Sequence, residues 1–205
     1  MFFILSTGRS GTKTIAKALS NLSSCTCLHE PAPELIVESS AYRYGKLDHE
    51  TLKKTLLKTR SPKVGSKIYG ESNQTLSLIL PVLIDAFPNA QFVWLIRSGL
   101  QVVASTVARQ WYTGHSSNHD CYDNCSQLEK DWIDGRILGD LCKDVPARIW
   151  AEMNPFARCC WYWSYINRTI EQDFRDYVSV DKYRLIRLDQ IDRDLSDTVK
   201  WLGLK

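Results

Sequence analysis

Apolar and polar positions alternate along this chain in two periods. Five short, mostly apolar runs read as strands: Phe2 to Ser6, Cys25 to His29, Lys67 to Glu71, Phe92 to Ile96 and Tyr183 to Leu188. Between them, apolar residues recur at helical spacing over Thr12 to Leu22, His49 to Leu57, Leu76 to Phe87, Leu100 to Trp111, a long Pro146 to Phe174, and Leu195 to Leu202. Strands that alternate with helices predict an α/β chain with a central parallel sheet of about five strands, covered by helices on both faces. In such sheets ligands bind beyond the carboxyl ends of the strands, so chemistry is sought just after each strand.

Those ends are polar: "TGRSGTKT" after the first strand, "EPAP" after the second, "SNQT" after the third and "RSG" after the fourth. The first is a Gly/Ser/Thr turn between a strand and a helix. Gly8, Ser10 and Gly11 place backbone N–H groups where an anion can meet a helix start, and Arg9, Lys13, Thr12 and Thr14 add charge and hydroxyls. The spacing departs from the nucleoside triphosphatase loop, because Gly11 comes one residue early and Thr12 separates it from Lys13. No strand ends in an apolar run followed by Asp, although Glu30 and Glu71 follow strands and keep a nucleotide kinase as an alternative. A second anion site is suggested by "FVWLIRSGLQVVAS": Arg97 ends the fourth strand, Ser98 is a helix cap with Gln101 as its capping-box partner, and Ser105 lies two turns in. A guanidinium with a nearby hydroxyl suits a phosphate monoester.

Composition narrows the class. The 205 residues fit one domain, 1–205, and 44% hydrophobic with 24% charged residues is ordinary globular composition. A net charge of +3 permits an anionic ligand but lies far from that of a dedicated nucleic-acid binder, so no nucleic-acid partner is expected. The N-terminus has no signal-peptide pattern, and "LSLILPVLI" is too short to cross a bilayer, so no transmembrane segment and a cytoplasmic location are expected. Seven cysteines without framework spacing suggest reduced thiols. The segment Thr113 to Cys125, "TGHSSNHDCYDNC", reads as a lid. Its His115, His119, Cys121 and Cys125 offer zinc ligands as an alternative, but their spacing matches no common zinc module and no metal is expected. Cys159 and Cys160 read as small packing groups, and Trp161 and Trp163 as core.

Taken together, "STGRSGT", a Glu-Pro after the second strand and "FPNAQFVWLIRSGLQVVAS" resemble the sulfotransferases that use 3′-phosphoadenosine 5′-phosphosulfate, most closely the bacterial members and the tyrosylprotein type. The likeness runs over nearly the whole chain, through the Trp-rich "ARCCWYWSYINRTIEQ" and the closing "YRLIRLDQI…VKWLGL". It implies a three-layer, P-loop-like fold and transfer of a sulfuryl group from that donor to the hydroxyl of a small-molecule, glycan, lipid or peptide acceptor. Carried over, Arg9 to Thr14 correspond to the phosphosulfate site, with Gly8 at its start, and Arg97 with Ser105 to the 3′-phosphate site. Glu30 corresponds to the catalytic carboxylate, with charge stabilisation from Arg9 and Lys13. His29 is a second candidate base, but strand alternation sends it and Glu30 to opposite sides. The chain departs from the family where many relatives carry Lys or His after the third strand and this one has "GESN", placing Glu71, Ser72 or Asn73 there. The sequence ends at Lys205, where relatives often continue into a basic segment over the cofactor, so a missing or separately supplied lid is one expectation among others. A sulfuryl group carries less negative charge than a phosphoryl group, so metal should be dispensable. The competing classes are a nucleotide kinase or triphosphatase and a nucleotide-binding domain without catalysis.

Overall fold

In the computed structural model, which describes residues 1–60, 67–113 and 122–205, the five strands are β1 Phe2–Leu5, β2 Cys25–His29, β3 Ile68–Ser72, β4 Gln91–Ile96 and β5 Tyr183–Arg187. They form one sheet in the order β2-β3-β1-β4-β5, and every neighbouring pair is parallel. The helices are α1 Thr12–Ser20, α2 Ile36–Arg43, α3 His49–Thr59, α4 Leu80–Ala86, α5 Gly99–Ala108, α6 Gln127–Asp134, α7 Ala147–Glu152, α8 Pro155–Tyr177 and α9 Ile191–Trp201.

The central strand β1 explains the layering. All four of its side chains are buried, and their period of two divides them between two cores. Phe2 and Ile4 pack with Ile15 and Leu19 of α1 and with Leu202 and Leu204 after α9. Phe3 and Leu5 pack with Leu52 and Leu56 of α3, Leu83 of α4, and Ile166, Ile170 and Phe174 of α8. A strand covered on both faces reads as a continuous apolar run, and "FFIL" is one.

Two expected helices are each broken, and proline accounts for both breaks. The run expected over Leu76 to Phe87 is a 3-10 turn, Thr75–Leu78, followed by α4, with Pro81 in the first turn of α4. The long run from Pro146 is α7 and then α8, where Pro155 opens α8 and the Asn154 side chain caps it by accepting from the Ala157 N–H at 2.9 Å. Proline has no N–H to give and its ring clashes with the preceding turn, so it is stable only where a helix begins. Among the described residues no helix is long and apolar enough to cross a membrane.

Candidate functional site

The turn after β1 is built from inside the protein. Ser77 Oγ donates to the Ser6 carbonyl and accepts from the Ser6 N–H, both at 2.9 Å, and Thr7 Oγ1 shares a 2.6 Å hydrogen bond with Ser10 Oγ. The Gly8 N–H donates to the Tyr162 hydroxyl at 3.0 Å. A side chain on residue 8 would run into Gln74 and Trp111, so glycine is required by close approach. Arg9 and Gly11 are left-handed, with φ of 67° and 87°. Gly11 precedes α1 with no side-chain cap, and the first turn of α1 has no acidic residue. Among the described residues the amides of that turn thus have no side-chain cap, which is the arrangement that attracts an anion.

Cations gather around this helix start. Arg97 donates through NH1 to the Arg9 carbonyl and through Nε to Gln101 Oε1, both at 2.9 Å. Arg9 Nε donates to Ser105 Oγ at 3.1 Å. The Gln101 side chain is thus held by Arg97, and Ser98 makes no side-chain cap, in place of the expected capping box. The expected phosphate pair of Arg97 and Ser105 is bridged by Arg9. Partial burial lowers the Arg9 pKa, helped by the like charges of Arg109 and Arg97, while Glu30 works the other way. Arg9, Lys13, Arg97, Arg109 and Arg136 all line one open cavity of ≈ 760 Å³, and none of the five forms an ion pair with a carboxylate among the described residues. Gly11, Thr12, Lys13 and Thr14 also line this cavity. Ser10 is fully buried beneath it.

Glu30 stands in the same cavity, and so does His29. Alternation had separated them, but β2 ends at His29 and Glu30 takes a left-handed backbone with φ of 44°, which turns the chain and cancels the strand parity. His29 Nε2 lies 3.8 Å from Glu30 Oε2, and its Nδ1 lies 3.1 Å from the Ser72 carbonyl oxygen. The other Glu30 oxygen accepts from the Gln74 amide at 3.0 Å. Gln74 Oε1 in turn accepts from the Tyr162 hydroxyl at 3.2 Å, so one directed chain runs from Gly8 through Tyr162 and Gln74 to Glu30. Burial raises the Glu30 pKa above the usual carboxylate range, opposed chiefly by His29 and the Gln74 hydrogen bond. No ion pair joins Glu30 to Arg9 or Arg97 among the described residues.

The end of β3 differs from expectation. Glu71, Ser72 and Asn73 are fully buried. Glu71 takes Arg60 Nε at 2.9 Å and NH2 at 3.2 Å, the Tyr69 hydroxyl at 2.8 Å and the Asn73 amide at 3.1 Å. Arg60 also donates to the carbonyls of Pro31 and Pro33, so this ion pair clamps the "EPAP" loop under Glu30. Glu71 is structural, and the residue that reaches the cavity from this strand is Gln74.

Further walls come from positions that strand-end reasoning passes over: Arg109 and Trp111 after α5, Glu129, Trp132 and Ile133 on α6, and Arg136 after it. The "SQLE" that opens α6 is a capping box between Ser126 and Glu129, a signal that marks this helix in the sequence. Cys125 lines the cavity, whereas His115, His119 and Cys121 lie outside the described residues, as does most of the lid expected at 113–125. Cys159 is fully buried and Cys160 is partly so. Trp161 stacks on Tyr165 and donates to Asp144, and Trp163 donates to the Arg97 carbonyl at 3.0 Å.

A parallel sheet in this order, with a glycine turn leading from its central strand into α1, defines a P-loop-like α/β protein. The chain matches no protein-family model and no curated protein. Among solved structures it is similar to the sulfotransferase domain from the curacin biosynthetic pathway, at 15% identity and TM-score 0.61, over 100% of this chain and 74% of that one. It is also similar to a sulfotransferase from Alicyclobacillus acidocaldarius, at 14% identity and TM-score 0.57, over 100% of this chain and 81% of that one. At such identities the likeness concerns the fold, and it agrees with the resemblance carried by the motifs.

Proposed function

We propose that residues 1–205 form one sulfotransferase domain that moves a sulfuryl group from 3′-phosphoadenosine 5′-phosphosulfate to the hydroxyl of an acceptor. The observation that carries this reading is the set of four cations, Arg9, Lys13, Arg97 and Arg109, that have no carboxylate partner among the described residues and line, with an uncapped helix start, a cavity that also holds Glu30. The cavity falls within the roughly 300–1,000 Å³ range of ligand sites. Those four cations suit a ligand with several negative charges. Bound there, the donor supplies the sulfuryl group, whose bond to the phosphate oxygen breaks as the bond to the acceptor oxygen forms.

In this reading the first turn of α1 and Lys13 hold the 5′ end, with Thr12 and Thr14 as hydroxyl partners. Arg97 and Ser105 serve the 3′-phosphate, and Arg9, hydrogen-bonded to both neighbours, joins the two anion sites. Arg9 and Lys13 stabilise negative charge as it grows on the leaving oxygen. Glu30 takes the acceptor proton. A raised pKa suits that task, because a base works best when its pKa lies near the working pH. The directed chain through Tyr162 and Gln74 fixes which way Glu30 points. The free thiols of Cys25, Cys27, Cys142 and Cys159 fit a reducing compartment and support a cytoplasmic location.

Transfer of ³⁵S from labelled donor to a panel of phenols, alcohols, glycans and tyrosyl peptides, run in EDTA, tests the proposal. Labelled product in EDTA is expected. Phosphoryl transfer from ATP that needs Mg²⁺, with no sulfuryl transfer, would point to a kinase instead, and nucleotide binding without either transfer would point to a non-catalytic domain.

A further inference from the structure

A second, narrower cleft opens beside the large cavity. It measures ≈ 40 Å³ and is walled mostly by apolar groups, including Ile36, Leu78, Ile137, Tyr162 and Ile166. Gln74, Trp111, Trp132 and Arg136 line both spaces, so the cleft meets the cavity at the residue that holds Glu30. An acceptor whose hydroxyl faces Glu30 has this cleft as its neighbouring surface.

Among the described residues Arg136 is the one cation shared by the two spaces. Its guanidinium carbon lies 4.2 Å from the Trp111 ring centroid and 5.6 Å from that of Tyr112, and Trp111 packs edge-on against Tyr162 at 5.3 Å. Among the described residues it has no side-chain hydrogen bond and no carboxylate partner. Its position is fixed by the backbone: Ser40 Oγ donates to the Gly135 carbonyl, the Tyr44 hydroxyl donates to the Arg136 carbonyl at 3.4 Å, and the Leu138 N–H donates to that hydroxyl at 2.8 Å. A guanidinium that is stacked, largely desolvated and unpaired retains its forked set of donors for a ligand.

We infer that Arg136 determines acceptor specificity by binding a carboxylate on the acceptor, so that the substrates are small hydroxylated acids with a compact apolar or aromatic frame. The inference rests on the donor reading above. One cation in apolar surroundings balances one negative charge, which favours a carboxylate over a phosphate monoester that brings nearly two. Trp111 and Trp132, which line both spaces, border the frame, and the cleft's small volume limits its bulk. Gln74, between the cleft and Glu30, places the reacting hydroxyl next to the base.

The test is calorimetric titration of 4-hydroxybenzoate and its uncharged isostere 4-hydroxybenzamide into protein with and without bound 3′-phosphoadenosine 5′-phosphate. The acid is expected to bind roughly ten- to a hundredfold tighter than the amide. Arg136→Gln should erase that preference, and Arg136→Lys, which keeps the charge without the fork, should retain part of it; nucleotide affinity should stay within about twofold in both. Equal binding of acid and amide, binding of neither, or a loss of nucleotide affinity in place of acid affinity overturns the inference. Tighter binding of 4-hydroxyphenyl phosphate than of the acid overturns the carboxylate assignment. A protein that prefers the acid but does not bind 3′-phosphoadenosine 5′-phosphate keeps Arg136 as a carboxylate site and removes the donor reading, and with it that site's role in sulfuryl transfer.

Discussion

Replacing Gln74 by Leu removes the hydrogen bond that holds Glu30 in its charged form while keeping a side chain of similar length. The Gln74 amide donates to Glu30 Oε1 at 3.0 Å, and the other carboxylate oxygen has the His29 imidazole at 3.8 Å. A hydrogen bond to a charged group is worth about 1.5–3 kcal/mol. The Glu30 side chain is 21% exposed, so water recovers part of this, and a loss near the lower bound is expected. Burial already raises the Glu30 pKa, and losing a donor to the carboxylate raises it further. A base must be deprotonated to act, so the rate rises with pH through this pKa, and Gln74→Leu should move the acid limb of the profile to higher pH. At a fixed pH on that limb the rate should fall roughly tenfold, the equivalent of about 1.4 kcal/mol. At higher pH it should recover to near the unmodified rate. Single-turnover transfer of ³⁵S by rapid quench across the pH range reads this directly. An unmoved acid limb, or a uniform loss at every pH, would refute the role given to Gln74 and weaken that of Glu30.

Glu30→Gln keeps the shape of the side chain without its basicity and should lower the single-turnover rate by about 10²–10⁴ while nucleotide affinity by calorimetry stays within about twofold; near-normal turnover would make His29 the next base to test. Arg60→Met strands Glu71 in the core, where the pair has side-chain exposures of 1% and 0%, and should cost about 3–5 kcal/mol in urea unfolding, since the remaining charge is buried and unpaired. Burial pushes the Asp173 carboxyl up to about 6 against the pull of Arg43, so the folded state prefers the proton: the stability this adds is full below the ordinary carboxylate pKa of about 3.9 and is lost as pH rises through about 6. Asp173→Asn should therefore raise stability by about 1–3 kcal/mol near pH 7.5 and leave it nearly unchanged near pH 3.5, which thermal melts at the two values check.

The sheet was legible because its period of two is strong. Every strand lies within about one residue of its expected place, and the anion turn falls where the first apolar run ends. Helix breaks were also written in the sequence, as Pro81 and Pro155, but periodicity continued across them and concealed them. What local pattern could not supply was anything fixed by a distant partner. Glu71 looked like a site residue at a strand end until Arg60, at the far end of α3, took it into the core. Gln74 then reached the cavity in its place. His29 and Glu30 share a cavity because one left-handed residue cancels the strand parity, and no periodicity reports that. Arg109 and Arg136 follow helices, outside the strand-end rule, and enter the site only because α5 and α6 end at its rim.

The proposed donor site reads a 3′-phosphate and a 5′-anion on the same nucleotide, through Arg97 on one side, with Ser105 hydrogen-bonded to Arg9 beside the cavity, and the start of α1 on the other. Calorimetric affinity for 3′-phosphoadenosine 5′-phosphate, set beside AMP and ATP with and without Mg²⁺, tests it most directly. A charge-assisted contact to the 3′-phosphate is worth about 1.5–3 kcal/mol, so the bisphosphate should bind roughly ten- to a hundredfold tighter than AMP, independently of Mg²⁺. Equal affinity for AMP and the bisphosphate, or tighter binding of ATP that requires Mg²⁺, would contradict it.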